Sequence, residues 1–250
     1  MKKTLLTLAS ASVLSMSAQA EQFWADNSVS VLYGEEYALV PEDTLTTMTL
    51  EHVSGHSWGG LFFFVDRHVG EDDPNNGNNQ FKETYGEFSP KFDLMKMDGF
   101  VKGVNAAFTY EFGSTSSANG QQDNYLYGVG VDLAVPGLNY FGATYFYADN
   151  EAVDADDHQL TLVYGWNTGD FNIDGYIDYS TGTEVSDASS HFNPQLTYNV
   201  GGLLGTKNKI KVGVEYSYWE NKFGMKQSFA DSIDVDSDQS AFSLLLKAHL

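Results

Sequence analysis

The stretch Asn124–Leu133, NYLYGVGVDL, decides the fold. Tyr125, Tyr127, Val129, Val131 and Leu133 share one parity, and Gly128, Gly130 and Asp132 share the other. Successive side chains of a β-strand point to opposite faces, so this alternation makes one large apolar face and one small or polar face. Over about ten residues that is the signature of a strand in a transmembrane β-barrel. The same pattern recurs in KIKVGVEYSY, where Ile210, Val212, Val214, Tyr216 and Tyr218 oppose Lys211, Gly213, Glu215 and Ser217. In DFNIDGYIDY, Phe171, Ile173, Ile177 and Tyr179 oppose Asn172, Asp174, Tyr176 and Asp178, and QSAFSLLLKAHL sets Phe242, Leu244, Leu246 and Leu250 against Ser243 and Lys247.

Period-two reading of the whole chain predicts strands near 27–37, 44–53, 58–67, 82–93, 100–112, 124–134, 138–148, 157–167, 170–180, 190–200, 208–219 and 239–250. The expected fold is all-β: a transmembrane antiparallel up-and-down β-barrel of twelve strands, an even number as bacterial barrels require. The connections carry a second rhythm. Those after even strands are mostly tight (SGHS, MKMDG, PG, TG and the longer GGLLGTKN), whereas EDDPNNGNN, GSTSSANGQQD, DNEAVDADD and TGTEVSDASS follow odd strands. Tight turns at one rim and long loops at the other distinguish the periplasmic from the exterior end. A soluble β-sandwich also has alternating strands, but it does not need tyrosine and tryptophan at strand ends (Trp24, Trp58, Trp166, Trp219), where membrane interfaces favour them.

The chain opens MKKTLLTLASASVLSMSAQA, with Lys2 and Lys3, an apolar stretch from Leu5 to Leu14, and Ala18-Gln19-Ala20. Residues 1–20 read as a secretory signal cleaved after Ala20, leaving 21–250 as the outer-membrane barrel. Cysteine is absent, which excludes a disulfide framework and a lipid-accepting cysteine. Acidic residues number 34 against 13 basic, a net charge of −21. Such a surface excludes nucleic acid as a partner. The expected partners are outer-membrane lipid, lipopolysaccharide, small-molecule solutes and, at the exterior loops, phage.

His52-Val53-Ser54 raises the question of catalysis. Outer-membrane phospholipase A, a twelve-stranded barrel, carries a His-x-Ser pair with a steering Asn, and such a site needs a base held by a third group. Here Ser54 is read as part of the turn Ser54-Gly55-His56-Ser57, and strand 44–53 holds no suitable Asn, so the pair is read as structural. Omptin-type proteolysis needs acid and Asp-His pairs above the exterior rim; His158 and His191, near Asp157 and Asp187, are the residues that fit it. Asp154–His158, DADDH, clusters hard oxygen ligands without the ordered spacing of a calcium loop. The expectation is a non-enzymatic protein with no catalytic residue, metal or cofactor.

Five stretches carry a likeness. Trp24 followed by Ser28-Val29-Ser30-Val31, Leu50-Glu51, Phe64-Val65-Asp66, Tyr85-Gly86-Glu87-Phe88-Ser89-Pro90-Lys91-Phe92-Asp93-Leu94, and Tyr127-Gly128-Val129-Gly130-Val131-Asp132 with Pro136-Gly137 occur in that order over most of the mature chain. In order and spacing they resemble the Tsx-like nucleoside-specific channel family, which includes the OmpK-type outer-membrane proteins. The resemblance implies a narrow twelve-stranded channel for nucleosides. Parity assigns Phe62, Phe64, Asp66, Tyr85, Glu87, Lys91, Asn105, Glu111, Asp174, Tyr176, Asp178, Lys211, Glu215 and Lys247 to the lumen. Aromatic faces such as Phe62 and Tyr176 can stack a base, and Glu87, Lys91 and Asp178 can hydrogen-bond a sugar. The alternative for the charged members is pairing across the lumen. For Phe62 and Phe64 it is packing, since three consecutive phenylalanines put a ring on each face.

Overall fold

A computed structural model describes residues 21–73, 77, 79–116, 121–151, 155–206 and 209–250. The signal segment lies outside the described residues. Twelve strands run β1 (Gln22–Glu35), β2 (Leu45–His56), β3 (Gly59–Asp73), β4 (Asn79–Lys96), β5 (Val101–Thr115), β6 (Gln121–Leu133), β7 (Tyr140–Asn150), β8 (Asp157–Thr168), β9 (Phe171–Ser180), β10 (Ser189–Asn199), β11 (Ile210–Glu220) and β12 (Gln239–His249). Each pairs antiparallel with its neighbours in sequence, and β1 pairs with β12 to close the barrel. Closure removes the free edges that an open sheet would present, so every strand is hydrogen-bonded on both sides without help from lipid.

The alternation read from the sequence sorts the side chains. Val31, Tyr33, Met48, Leu50, Phe88, Phe92, Tyr127, Val129, Tyr145, Tyr147, Leu160, Tyr179, Leu196, Val212, Val214, Phe242, Leu244 and Leu246 are all exposed. They occupy the outward parity of their strands, and so form an apolar belt that only hydrocarbon can cover. Ser28, Ser30, Thr47, Asn105, Thr109, Glu111, Asn124, Thr197, Ser217, Ser243 and Lys247 are buried on the opposite parity, inside the barrel. Two apolar clusters narrow the bore. Leu126, Phe146 and Ala148 pack on the inner wall of β6 and β7, and Tyr37, Leu45, Phe81 and Ala241 pack at the long-loop rim.

The tight rim includes turns at Val135–Leu138 and Gly169–Asp170. Gly137 (φ 90°) and Gly169 (φ 58°) adopt the positive φ such turns need and side chains resist. At the other rim the connection between β11 and β12 folds into a 3-10 turn, Lys222–Gly224, and a short helix, Gln227–Ser232. It leans on the β9–β10 loop: Asp187 N–H donates to Gly224 O, Gln227 N–H to Asp187 Oδ2 at 3.0 Å, and Lys226 to Glu184 O.

Three sequence expectations change. Strand β2 continues through His56, so Ser54 lies in the strand and not in a turn, and its outward hydroxyl sits between two imidazoles that satisfy it. Trp219 is not part of an outer girdle; its ring stacks on the inward His191 at 3.9 Å. His191, read beside the exterior loops as a partner for Asp187, is a buried lumen side chain at the long-loop end of β10. Part of three long connections, at 74–76, 78, 117–120 and 152–154, lies outside the described residues, and this includes Asp154 of the acidic cluster.

Candidate functional site: the barrel lumen

The lumen is built by neighbouring strands presenting the same parity at matched register. Phe64 of β3 stands opposite Glu87 of β4, which stands opposite Glu111 of β5; Asp66 stands opposite Tyr85. Asp174, Tyr176 and Asp178 alternate along β9, and register places Asp174 beside Gln195 and Asp178 beside His191. The sequence-assigned residues thus all face the bore, on strands that surround it. Tyr176 lies within electrostatic reach of Asp178 on its own strand, of Glu215 on β11 and, across the bore, of Glu87 and Asp66. This brings acids of β3, β4, β9 and β11 around Tyr176.

Their partners divide the lumen in two along its axis. Toward the tight-turn rim, lysines meet carboxylates: Lys91 Nζ lies 2.8 Å from Asp132 Oδ1, and Lys247 Nζ 3.3 Å from Glu51 Oε1. Lys211 and Lys247 are both within electrostatic reach of Asp174, and His249 Nδ1 is 2.7 Å from Asp26 Oδ2. Toward the long-loop rim the carboxylates are held by neutral donors. Thr49 Oγ1 donates to Asp66 (2.5 Å), Tyr85 Oη to Glu87 (2.9 Å), and Gln122 and Asn124 amides to Glu111 (2.9 and 3.0 Å). Thr161 Oγ1 donates to Asp178 (2.5 Å), and Gln195 Nε2 to Glu215 (2.8 Å). A carboxylate bound to neutral donors keeps free lone pairs for a passing solute, whereas a lysine-paired one is largely neutralised.

The aromatic candidates form a ladder up one wall. Phe62 and Phe64 have ring centroids 5.6 Å apart, and Phe64 meets Tyr85 edge-on at 5.7 Å. On the far wall Tyr176 meets His191 edge-on at 5.0 Å, its hydroxyl 3.2 Å from His191 Nδ1, and His191 stacks on Trp219. Phe63, between the two inward phenylalanines, points to lipid. Glu87 and Lys91 do not pair with each other: each has taken another partner.

Sequence reasoning missed the His191–Trp219 stack, the acids Glu51 and Asp132, and the loop residues over the mouth. Parity assigns His191 and Trp219 to the lumen together with Glu215, and both lie within the strands read from the sequence, 190–200 and 208–219, so the signal was present. Nothing local marks Tyr37 and Lys222. The Lys222 ammonium reaches into the long-loop mouth to Ala38 O (3.0 Å) and Gln239 Oε1 (2.6 Å), flanked by the rings of Tyr37 and Phe223. Burial pushes its pKa down to about 8, with the Glu83 carboxylate pulling part of the way back. Burial likewise pushes the Tyr37 hydroxyl up to about 12, against its hydrogen bond to Ser243.

The question posed by His52-Val53-Ser54 acquires a third member. His52 Nδ1 is 2.8 Å from Asn27 Oδ1 on β1, and His52 Nε2 is 2.9 Å from Ser54 Oγ. The sequence search for an Asn was confined to β2 itself, and register brings Asn27 in from the adjoining strand. The order is that of a hydrolytic triad, but Ser54 is 1% exposed and its Oγ also meets His56 Nε2 at 2.9 Å. A nucleophile needs an open path to the carbonyl, so this trio acts as a clasp between β1 and β2.

No protein-family model matches the chain, and no curated protein matches it. Among solved structures, the KdgM porin has a TM-score of 0.50 at 13% identity, covering 88% of this chain and 98% of that one. A KdgM porin in complex with disordered oligogalacturonate gives the same values. The NanC porin gives a TM-score of 0.49 at 13% identity, over 90% of this chain and 100% of that one. At such identity the KdgM likeness speaks to fold alone, and it agrees with the closed barrel and its apolar belt. The chain has a porin-type fold, a closed twelve-stranded antiparallel barrel with an apolar outer belt.

Proposed function

We propose that the protein is a narrow diffusion channel for small neutral or cationic solutes, nucleosides foremost. The observation that carries this reading is the long-loop half of the lumen, where Asp66, Glu87, Glu111, Asp178 and Glu215 are held by hydroxyls and amides, with Phe64, Tyr85 and Tyr176 beside them. Carboxylates accept hydrogen bonds from a ribose, aromatic rings stack a base, and weak sites in series let the solute leave. The resemblance of the motif order to that of Tsx-like channels supports the same choice. A polyanion such as the oligogalacturonate of the KdgM porin complex meets repulsion from these acids, so this lumen favours a different cargo.

Planar-bilayer recording tests the reading. Nucleosides at millimolar concentration or below partly block single-channel current, free ribose blocks much less, and oligogalacturonate does not block. Absence of nucleoside block refutes the nucleoside assignment. A second reading, the exterior loops as a receptor surface, for instance for phage, draws support from Val185, Phe223, Phe229, Ile233 and Val235, all exposed on the β9–β10 and β11–β12 connections. Deleting 226–236 abolishes adsorption on that reading and leaves nucleoside block in place.

A further inference from the structure

Arg67 is the chain's single arginine. On β3 its neighbours Asp66 and His68 point inward, to Thr49 and Thr47. Arg67 therefore projects through the outer wall, between its register partners Met48 on β2, an exposed member of the apolar belt, and Thr84 on β4. Its Nη1 donates to Thr84 Oγ1 at 2.7 Å. Lys82, two residues beyond Thr84 and on the same outward parity, is exposed and faces Val69. Ser114 lies opposite Thr84 on β5, and Ser116 Oγ accepts the Lys82 N–H at 2.9 Å.

The two cations sit at the long-loop rim, near the exterior ends of β2 and β5, and they are diagonal neighbours on one sheet face. Side chains so placed are about 7–8 Å apart at their bases, close enough to converge on one anion. Among the described residues neither forms an ion pair; the ion pairs found there lie on other residues. The nearest acid on the same face of β3, Glu71, is four residues further out and exposed. An unpaired guanidinium on a lipid-facing wall, in a protein with 34 acids, is placed to meet an anion from the membrane side. At the exterior rim the membrane offers the phosphates of lipopolysaccharide.

We propose that Arg67 and Lys82, with the Thr84 hydroxyl, form an outward-facing phosphate site that holds a lipid A phosphate of lipopolysaccharide in the exterior leaflet. The guanidinium gives a planar, bidentate contact and the ammonium a point charge, with the rim hydroxyls hydrogen-bonding the remaining oxygens.

The full-length protein folded in detergent is titrated with bisphosphorylated lipid A, with the same lipid A stripped of phosphate, and with phosphatidylglycerol, and bound lipid is counted by native mass spectrometry. The site predicts binding of the bisphosphorylated form, at least fivefold loss of it in an Arg67→Gln/Lys82→Gln double variant, and no comparable binding of the other two lipids. Lys102→Gln, outward at the opposite rim, retains parental binding. If the double variant does not fold, Lys82→Gln alone, at an exposed position, shows at least a twofold loss. Unchanged binding in the folded double variant overturns the site, and equal binding of phosphatidylglycerol overturns the assignment to lipopolysaccharide.

Discussion

Glu87 and Lys91 stand four residues apart on the same inward face of β4, yet Glu87 accepts from Tyr85 while Lys91 pairs with Asp132 across two strands. The boundary between neutral-donor and lysine-paired carboxylates passes between them. Above it the acids meet only hydroxyls and amides; below it they meet lysines. On the proposed channel reading, a narrow, low-dielectric bore makes the five acids held by neutral donors the ones that set which ions and solutes enter.

Tyr176 is the most exacting test of the solute site. If its ring stacks a base, Tyr176→Ala weakens nucleoside block by about 1–3 kcal/mol, while Tyr176→Phe retains most of it. Tyr179, three residues on and outward, leaves block unchanged when replaced by Ala. Titrating block against adenosine in each variant decides the matter, and equal losses at 176 and 179 rule out a stacking role.

Lys222 supplies a pH dependence with a defined sign. Its pKa in the docked loop, about 8, lies below the 10.5 of a free lysine, so docking releases a proton. Docking of the β11–β12 connection is therefore weakest below about pH 8, strengthens as pH climbs from 8 to 10.5, and is fully favoured above that. A gap of this size is worth on the order of 3 kcal/mol. Since this loop narrows the mouth, single-channel conductance falls over that interval and recovers on return to pH 7. Lys222→Met removes the dependence; a parental profile that stays flat between pH 8 and 10.5 counts against the docked-loop gate.

The Asn27–His52–Ser54 trio is a structural clasp. Ser54→Ala leaves two imidazoles without their shared partner and lowers barrel stability by about 1–2 kcal/mol, the usual loss for a hydrogen-bonded buried hydroxyl. Phospholipid and ester hydrolysis by the parent stays at the background of the detergent blank. Labelling of Ser54 by a fluorophosphonate contradicts this.

Most of the architecture was legible because alternation is a local property. Tyr125, Tyr127 and Val129 declare their face without reference to any other strand, and the tight Pro136-Gly137 and Thr168-Gly169 turns set the rim. What escaped depends on contacts distant in sequence. Asn27 reaches His52 only through the β1–β2 register, Lys222 meets Ala38 only because β12 closes onto β1, and Trp219, inward by parity, meets His191 only through the β10–β11 register. Lumen membership followed from parity, while the division between neutral-donor and lysine-paired acids required knowing which strands are neighbours.

Ion selectivity in a planar bilayer tests the central claim most directly. With a tenfold KCl gradient, the parental channel gives a reversal potential of the sign for cation preference. Glu87→Gln/Asp178→Asn, which removes two acids held by neutral donors, moves that potential toward zero, whereas Asp132→Asn, which removes an acid already paired with Lys91, moves it far less. Anion preference in the parent, or equal shifts in the two variants, contradicts the account.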